Sequence, residues 1–287
     1  MSSYHEVLLN REDAAVLHEL EELIGVKIPS GKCAFYSTGF IHEDQKVIGL
    51  SLRKYGLTSL PETVGHLQHL QKLYLRDNQL KTLPKTIGNL RSLQDLDVFN
   101  NHIESLPDTL GKLTLLIRLD LSRNYLKTLP ESIGRLKSLR RLGLLNIQLR
   151  SLPESIGSLA NLQDLIACIN QLRAIPENIG NLTKLENLSL HKNLLTSVPE
   201  SLGNLTNLEV LSLHTNNLTD LPDSIGKLSN LKNLRLENNH LKTLPKNIKQ
   251  LKNLQSLWIG KNQFTSLPGE IEDWIRNLKS RHCKVRR

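Results

Sequence analysis

Three cysteines in 287 residues, a single methionine and only 4% aromatic residues leave little from which to build a conventional core. Cys33, Cys168 and Cys283 are far apart and odd in number. A disulfide framework is therefore not expected as the source of stability, and a reducing, cytoplasmic compartment is expected. No run approaches the ~18 consecutive apolar residues of a membrane span, so no membrane partner is expected. Met1 to Asn10 has no basic stretch followed by an apolar one, and a secretory leader is not expected. The phosphate-cradling GxxxxGK[ST], the zinc-binding HExxH, the nucleophile elbow GxSxG and the dinucleotide fingerprint GxGxxG are all missing, and no Ser, His and acid set stands out. The chain is expected not to be an enzyme and to need no cofactor.

What the chain has is leucine on a fixed period. Prolines fall at 61, 84, 107, 130, 153, 176, 199, 222, 245 and 268, always 23 residues apart. Aligned on them, ten units begin at Val47, Leu70, Leu93, Leu116, Leu139, Leu162, Leu185, Leu208, Leu231 and Leu254. Their frame is L-x-x-L-x-L-x-x-N-x-L-x-x-L-P-x-x-I-G-x-L-x-x. Self-similarity at this length marks a solenoid, in which each coil buries its leucines against its neighbours. Leucines at the fourth and sixth positions alternate with variable residues, which predicts a short strand with one buried face. In the unit starting at Leu185, Leu188 and Leu190 point inward and Asn187, Ser189 and His191 outward. The Asn at position nine has both a donor and an acceptor and is suited to bonding turn backbone in successive coils. Leu-Pro then opens a return leg read as a short helix or 3₁₀ turn. The Gly of eight units, such as Gly180, is read as allowing a tight chain reversal.

This frame, over residues 47 to about 276, resembles the leucine-rich-repeat superfamily, in the 23-residue LPxxIGxL subclass seen in Ras-group and many prokaryotic repeat proteins. The resemblance implies an α/β fold: a curved horseshoe with a concave parallel β-sheet and short helical or 3₁₀ segments on the convex side. It implies a protein-binding scaffold or adaptor working through the concave face, with a small GTPase or its regulator among the partners. Fold analogy alone does not name the partner.

Three regions follow: an N-terminal cap (1–46), ten repeats (47–268) and a C-terminal capping helix with a basic tail (269–287). Residues 11–25 read as an amphipathic helix ending at Gly25. A hairpin is expected with Ala34 to Ile41 as one arm, a turn at His42-Glu43-Asp44, and Lys46 to Leu52 as the other arm. In the last helix Trp274, Ile275 and Leu278 are expected to close the final coil. The net charge of +9 is uneven. Glu6, Glu12, Asp13, Glu19, Glu21 and Glu22 crowd the start, and Lys279, Arg281, Lys284, Arg286 and Arg287 the end. Nucleic-acid binding through the basic surface and tail is the alternative function, although aromatics are not interleaved with the basic residues as single-strand binding requires.

Two breaks in the frame single out candidate residues. Tyr55 and Ile147 stand where the other units have Asn. Ile cannot bond the turn, and unpaired buried backbone groups cost ~1–3 kcal/mol. Either Asn146 takes over through a local shift or the break is drift in one copy. Around it, Gly143, Leu145, Ile166, Cys168 and Ile169 point outward, with Phe99 two coils earlier, in columns that are otherwise polar. An exposed apolar patch is a candidate contact site, here rimmed by Asp97, Arg118, Asp120 and Arg141. Farther along, Cys168, His191, His214 and Glu237 share a column, ~5 Å apart in a line. Tetrahedral zinc needs convergence on one point, so hydrogen-bonding side chains are expected there and no metal. Arg235 and Trp258 are adjacent in another column, with Trp258 either a binding anchor or packed against the capping helix. The residues assigned to partner binding are therefore Phe99, Arg118, Asp120, Arg141, Leu145, Ile166, Cys168, Ile169, His191, His214, Arg235 and Trp258.

Overall fold

A computed structural model describes residues 2–4, 7–34 and 37–287; Glu6 of the acidic run and Phe35 and Tyr36 of the expected hairpin lie outside the described residues. The chain divides into two compact units, Met1–Gly143 and Leu144–Arg287. Both are built from the coil that the 23-residue period predicts.

The first unit opens with a small antiparallel pair, β1 (Ser2–Tyr4) and β2 (Val7–Leu9). Helix α1 (Arg11–Ile24) follows. Asn10 caps it, its side-chain oxygen accepting from the Asp13 N–H at 2.8 Å, and Gly25 ends it in a left-handed conformation with φ +72°. The helix buries Ala14, Val16, Leu17 and Leu20. Buried Asp13 accepts the Val47 N–H at 2.6 Å and so ties the helix to the first repeat strand. Strands β3 (Gly39–Glu43) and β4 (Lys46–Ser51) form an antiparallel hairpin. Its turn is Asp44-Gln45, both at positive φ, one to two residues later than expected, so His42 and Glu43 belong to the strand. Ala34 to Thr38, where described, is not strand. Parallel strands β5 (Lys72–Tyr74), β6 (Asp95–Asp97), β7 (Arg118–Asp120) and β8 (Arg141–Gly143) continue from β4 in register.

The second unit carries β9 (Asp164–Ile166), β10 (Asn187–Ser189), β11 (Val210–Ser212), β12 (Asn233–Arg235), β13 (Ser256–Trp258) and β14 (Lys284–Arg286), all parallel. Neighbouring repeat strands pair at a constant offset, as in Leu188 with Leu211 and Leu211 with Leu234. Strand β14 replaces the expected free basic tail: Val285 lies beside Leu257 and buried Cys283 precedes the strand. A three-residue alternation among five cations was too short to show as periodicity. Between β13 and β14 runs α2 (Gly269–Ser280), which buries Ile271, Ile275 and Leu278. Trp274 is only half-buried, and Ile271, one turn earlier, takes the closing place assigned to it. Among the described residues no helix is long and apolar enough to cross a membrane.

From Pro61 to Pro245 each return leg is one 3₁₀ turn beginning right after its proline, as in Glu177–Asn181 and Glu200–Asn204, and after Pro268 helix α2 takes its place. Its glycine does not reverse the chain, because its φ is ordinary. A Cβ on Gly88, Gly157 or Gly180 would stand 2.3–2.5 Å from a backbone oxygen of the following coil. The residue is glycine because adjacent return legs touch backbone to backbone. Where no 3₁₀ coil follows, the constraint lifts: Lys249 occupies this place and pairs with Glu270 of α2.

The asparagine column binds the coils together. Asn101 is buried, and its Nδ2 donates to Leu75 O of the coil before at 2.9 Å and to Val98 O of its own coil at 3.0 Å. Its Oδ1 accepts the Leu80 N–H at 3.0 Å. Asn193, Asn216 and Asn239 repeat the pattern. At the break, Ile147 is fully buried and its N–H is not orphaned. Asn170 of the next coil accepts from both Ile147 N at 3.0 Å and Leu149 N at 3.1 Å, and donates to Leu144 O at 2.7 Å. Asn78 serves Tyr55 and Leu57 in the same way. Asn146 is exposed.

Replacing Asn170 with Ala removes the acceptor for two buried N–H groups, whereas Asn193→Ala removes it for one. In urea unfolding, Asn170→Ala is expected to cost about 1–3 kcal/mol more than Asn193→Ala. Equal losses would contradict this account of the break.

Candidate functional site

The variable residues of each strand lie on the side away from the 3₁₀ turns, and the positive-φ residue before each Asn adds a further column. In the first unit this face holds Phe99, Arg118, Asp120 and Arg141. Phe99 is half-buried and is not an open apolar anchor: the Arg76 guanidinium lies over its ring at 4.3 Å and that of Arg123 at 5.2 Å. Arg118 pairs with Asp95 at 3.7 Å, and Tyr74 donates its hydroxyl to Asp95 at 3.0 Å. Asp120 Oδ1 accepts the Ser122 N–H at 3.0 Å. Arg141 is exposed.

Asp97 was expected in the polar rim but is 0% exposed. It accepts the Phe99 N–H at 2.9 Å and a bond from Arg76 at 3.1 Å. Burial dominates these favourable contacts and pushes its carboxyl up to about 6, with Asp120 adding to the rise.

In the second unit Ile166 and Ile169 are exposed, at 37% and 39%, and Leu145 is half-buried. These three are the apolar patch. Cys168 is not part of its exposed surface, being 4% exposed, because a short side chain sits low between the longer Leu145 and His191 of the flanking coils. Ile169 has φ +57°, a conformation that costs a β-branched residue ~1–2 kcal/mol. Asn100, Asn146 and Asn238 fill the same place in other coils at nearly the same angle.

Next along the face, the rings of His191 and His214 stack with centroids 4.4 Å apart and planes 12° from parallel. Parallel rings do not aim their nitrogens at one point. Instead, His191 Nδ1 faces the Ser212 hydroxyl at 3.4 Å and His214 Nδ1 the Thr215 hydroxyl at 3.1 Å. Burial is the main force opposing protonation of both rings; at His191 the neighbouring His214 and Arg235 add to it and hold the ring down at about 4, and at His214 Arg235 adds to it and keeps the ring below its ordinary value. His214 is itself buried, so His191 supplies most of what the pair presents.

Trp258 stands between two guanidiniums, Arg235 at 4.2 Å and Arg286 at 4.4 Å from its ring. Both arginines come from the strands on either side, Arg235 on β12 and Arg286 on β14. Arg235 Nε in turn donates to Glu237 Oε1 at 3.0 Å. Sequence reasoning missed Arg76, Arg123 and Arg286. The first two were visible as cations in the coils flanking Phe99. Arg286 lies outside the repeat frame and had no signal until β14 placed it beside Trp258.

A family profile described as leucine-rich repeat region matches residues 49–124, 117–221 and 199–281. Among solved structures, the chain is similar to the leucine-rich-repeat ectodomain of the plant membrane receptor kinase GASSHO1/SCHENGEN3 of Arabidopsis thaliana, solved in complex with CASPARIAN STRIP INTEGRITY FACTOR 2. That match has 34% identity and a TM-score of 0.74 over 82% of this chain and 30% of the receptor chain. It is similar to a chain of the Toll–Spatzle complex of Drosophila, at 28% identity and TM-score 0.62 over 74% of this chain and 33% of that one. It is also similar to a chain of the PEPR1–AtPEP1 structure, at 26% identity and TM-score 0.58 over 79% and 40%. The chain therefore spans between about a third and two-fifths of the length of these relatives. No curated protein matches it in sequence.

Two outcomes follow from the geometry. The folded Asp97 carboxyl titrates above its ordinary 3.8, so its contribution to stability is complete below pH ~4 and is lost as pH rises through about 6. Asp97→Asn is expected to raise the melting temperature at pH 7.5 and to lose that advantage at pH 4.5; a pH-independent difference would refute the assignment. Ile169→Asn relieves the left-handed strain and is expected to stabilise the fold by about 1 kcal/mol in urea unfolding.

Proposed function

Because the chain belongs to the leucine-rich-repeat family, we propose that it is a protein-binding scaffold or adaptor that engages its partner on the variable face of the strands and catalyses no reaction. The observation that carries this reading is the patch of Leu145, Ile166 and Ile169. Two exposed isoleucines stand together on the variable face beside half-buried Leu145, and one of them is held at positive φ where asparagine serves other coils. A strained, solvent-exposed apolar residue adds nothing to the fold but gives a partner something to bury. Similarity to chains solved as complexes supports the same reading. The resemblance of the repeat frame to Ras-group proteins makes a small GTPase or its regulator the first candidate to test. Three free cysteines, two of them buried, support a reducing compartment and a cytoplasmic location.

Ile166→Asp is the direct test. It places a charge in the patch without touching the leucine core, so the melting temperature is expected to change little. Recovery of partners from native lysate, identified by mass spectrometry, is expected to fall at least tenfold. Recovery of the same proteins in the same amounts would remove the patch from the reading.

A further inference from the structure

The two aromatic side chains assigned to partner binding, Phe99 in the first unit and Trp258 in the second, are built alike. Each ring is held between two guanidiniums: Arg76 and Arg123 on Phe99, Arg235 and Arg286 on Trp258. In each clamp one arginine is neutralised by a carboxylate of its own unit. Arg76 bonds buried Asp97 at 3.1 Å, and Arg235 bonds Glu237 at 3.0 Å. The other arginine, Arg123 or Arg286, is exposed. Among the described residues no Asp or Glu pairs with it.

A guanidinium lying on an aromatic ring is held by cation–π attraction, which fixes its plane while leaving its N–H edge in water. Arginine normally loses rotamer freedom on binding, and the ring has already removed much of it. The result is a preformed fork of donors matched to the two oxygens of a carboxylate. Among the described residues, one such guanidinium lies beside Phe99 in the first unit and one beside Trp258 in the second.

We propose that Arg123 on Phe99 and Arg286 on Trp258 are carboxylate receptors, and that the partner presents an acidic protein segment to the variable face. This rests on the protein-binding reading above and names the chemistry of the partner. Two observations separate an acidic protein from a nucleic acid, which the net charge of +9 would otherwise favour. Each ring already has two guanidiniums over it, at 4.3 and 5.2 Å on Phe99 and 4.2 and 4.4 Å on Trp258, which compete with a base for the aromatic surface it would stack on. Each clamp also carries its own carboxylates, Asp97 and Asp120 in one unit and Glu237 in the other. These repel a continuous phosphate backbone more than a single incoming side chain.

The experiment uses the full chain and three fluorescein-labelled probes: a glutamate decapeptide, a glutamine decapeptide and a uridine decanucleotide. Anisotropy at low salt is expected to show binding of the glutamate probe, none of the glutamine probe, and weaker binding of the uridine probe. Arg123→Gln with Arg286→Gln is expected to weaken the glutamate probe at least tenfold. Arg123→Lys with Arg286→Lys is expected to recover little of it, because lysine keeps the charge but not the planar fork. Unchanged binding in the double glutamine variant overturns the proposal, as does full recovery with lysine, or uridine binding as tight as glutamate through the same arginines. Partner capture abolished by Ile166→Asp but untouched by the arginine variants would overturn this inference and leave the protein-binding reading standing. Partner capture untouched by either would remove both.

Discussion

Everything in this fold depends on keeping successive coils at one spacing and in one register, and the buried asparagine column is the interaction that does so. Leucine packing is non-directional and tolerates a slide. Hydrogen bonds do not. Each Asn amide reaches the carbonyl of its own coil and of the coil before, so a displaced coil strands a buried donor and acceptor at the cost that buried unpaired groups carry. The mid-chain break shows how much slack the device has. Asn170 accepts two N–H groups where its counterparts such as Asn193 accept one, and Ile147 fits without leaving its backbone unpaired. Glycine supplies the matching constraint on the other edge of the coil, where the return legs approach too closely for a Cβ.

With register held by buried groups, the outward positions of the strands are released from structural duty. Chemistry accumulates there that a compact core would not accept: a buried carboxyl pushed up to about 6, a stacked pair of histidines, and aromatic rings with guanidiniums over them. The strain at Ile169 belongs to the same class. These features share a physical origin, since side chains in one column of adjacent strands lie about 5 Å apart, within reach of stacking and pairing.

The framework residues were legible because their spacing is a direct record of the coil. Leu, Asn and Pro repeat every 23 residues, and the inward direction of Leu188 and Leu190 followed from alternation alone. The variable residues were legible as a set but not in their environments. Cys168 looked exposed and is covered by taller neighbours in its column. Asp97 looked like rim and is buried. Phe99 looked like part of an apolar patch, and Trp258 like a binding anchor or a contact of the capping helix; each has two guanidiniums over its ring. Nothing in the identity of a residue states the height of the side chains on either side of it.

By itself the sequence determined the coil: its length, its strand, its turn, its core and the asparagine column, because each of those rests on residues adjacent in the chain or one period apart. Only the tertiary structure decided what the glycines are for, how the Ile147 N–H is paired, that Lys284–Arg286 joins the second unit as a strand, and which arginines lie on which rings. Those outcomes depend on distances between different coils and between a coil and a terminal segment. The one-dimensional pattern fixes the order of such elements but not the contacts their side chains make.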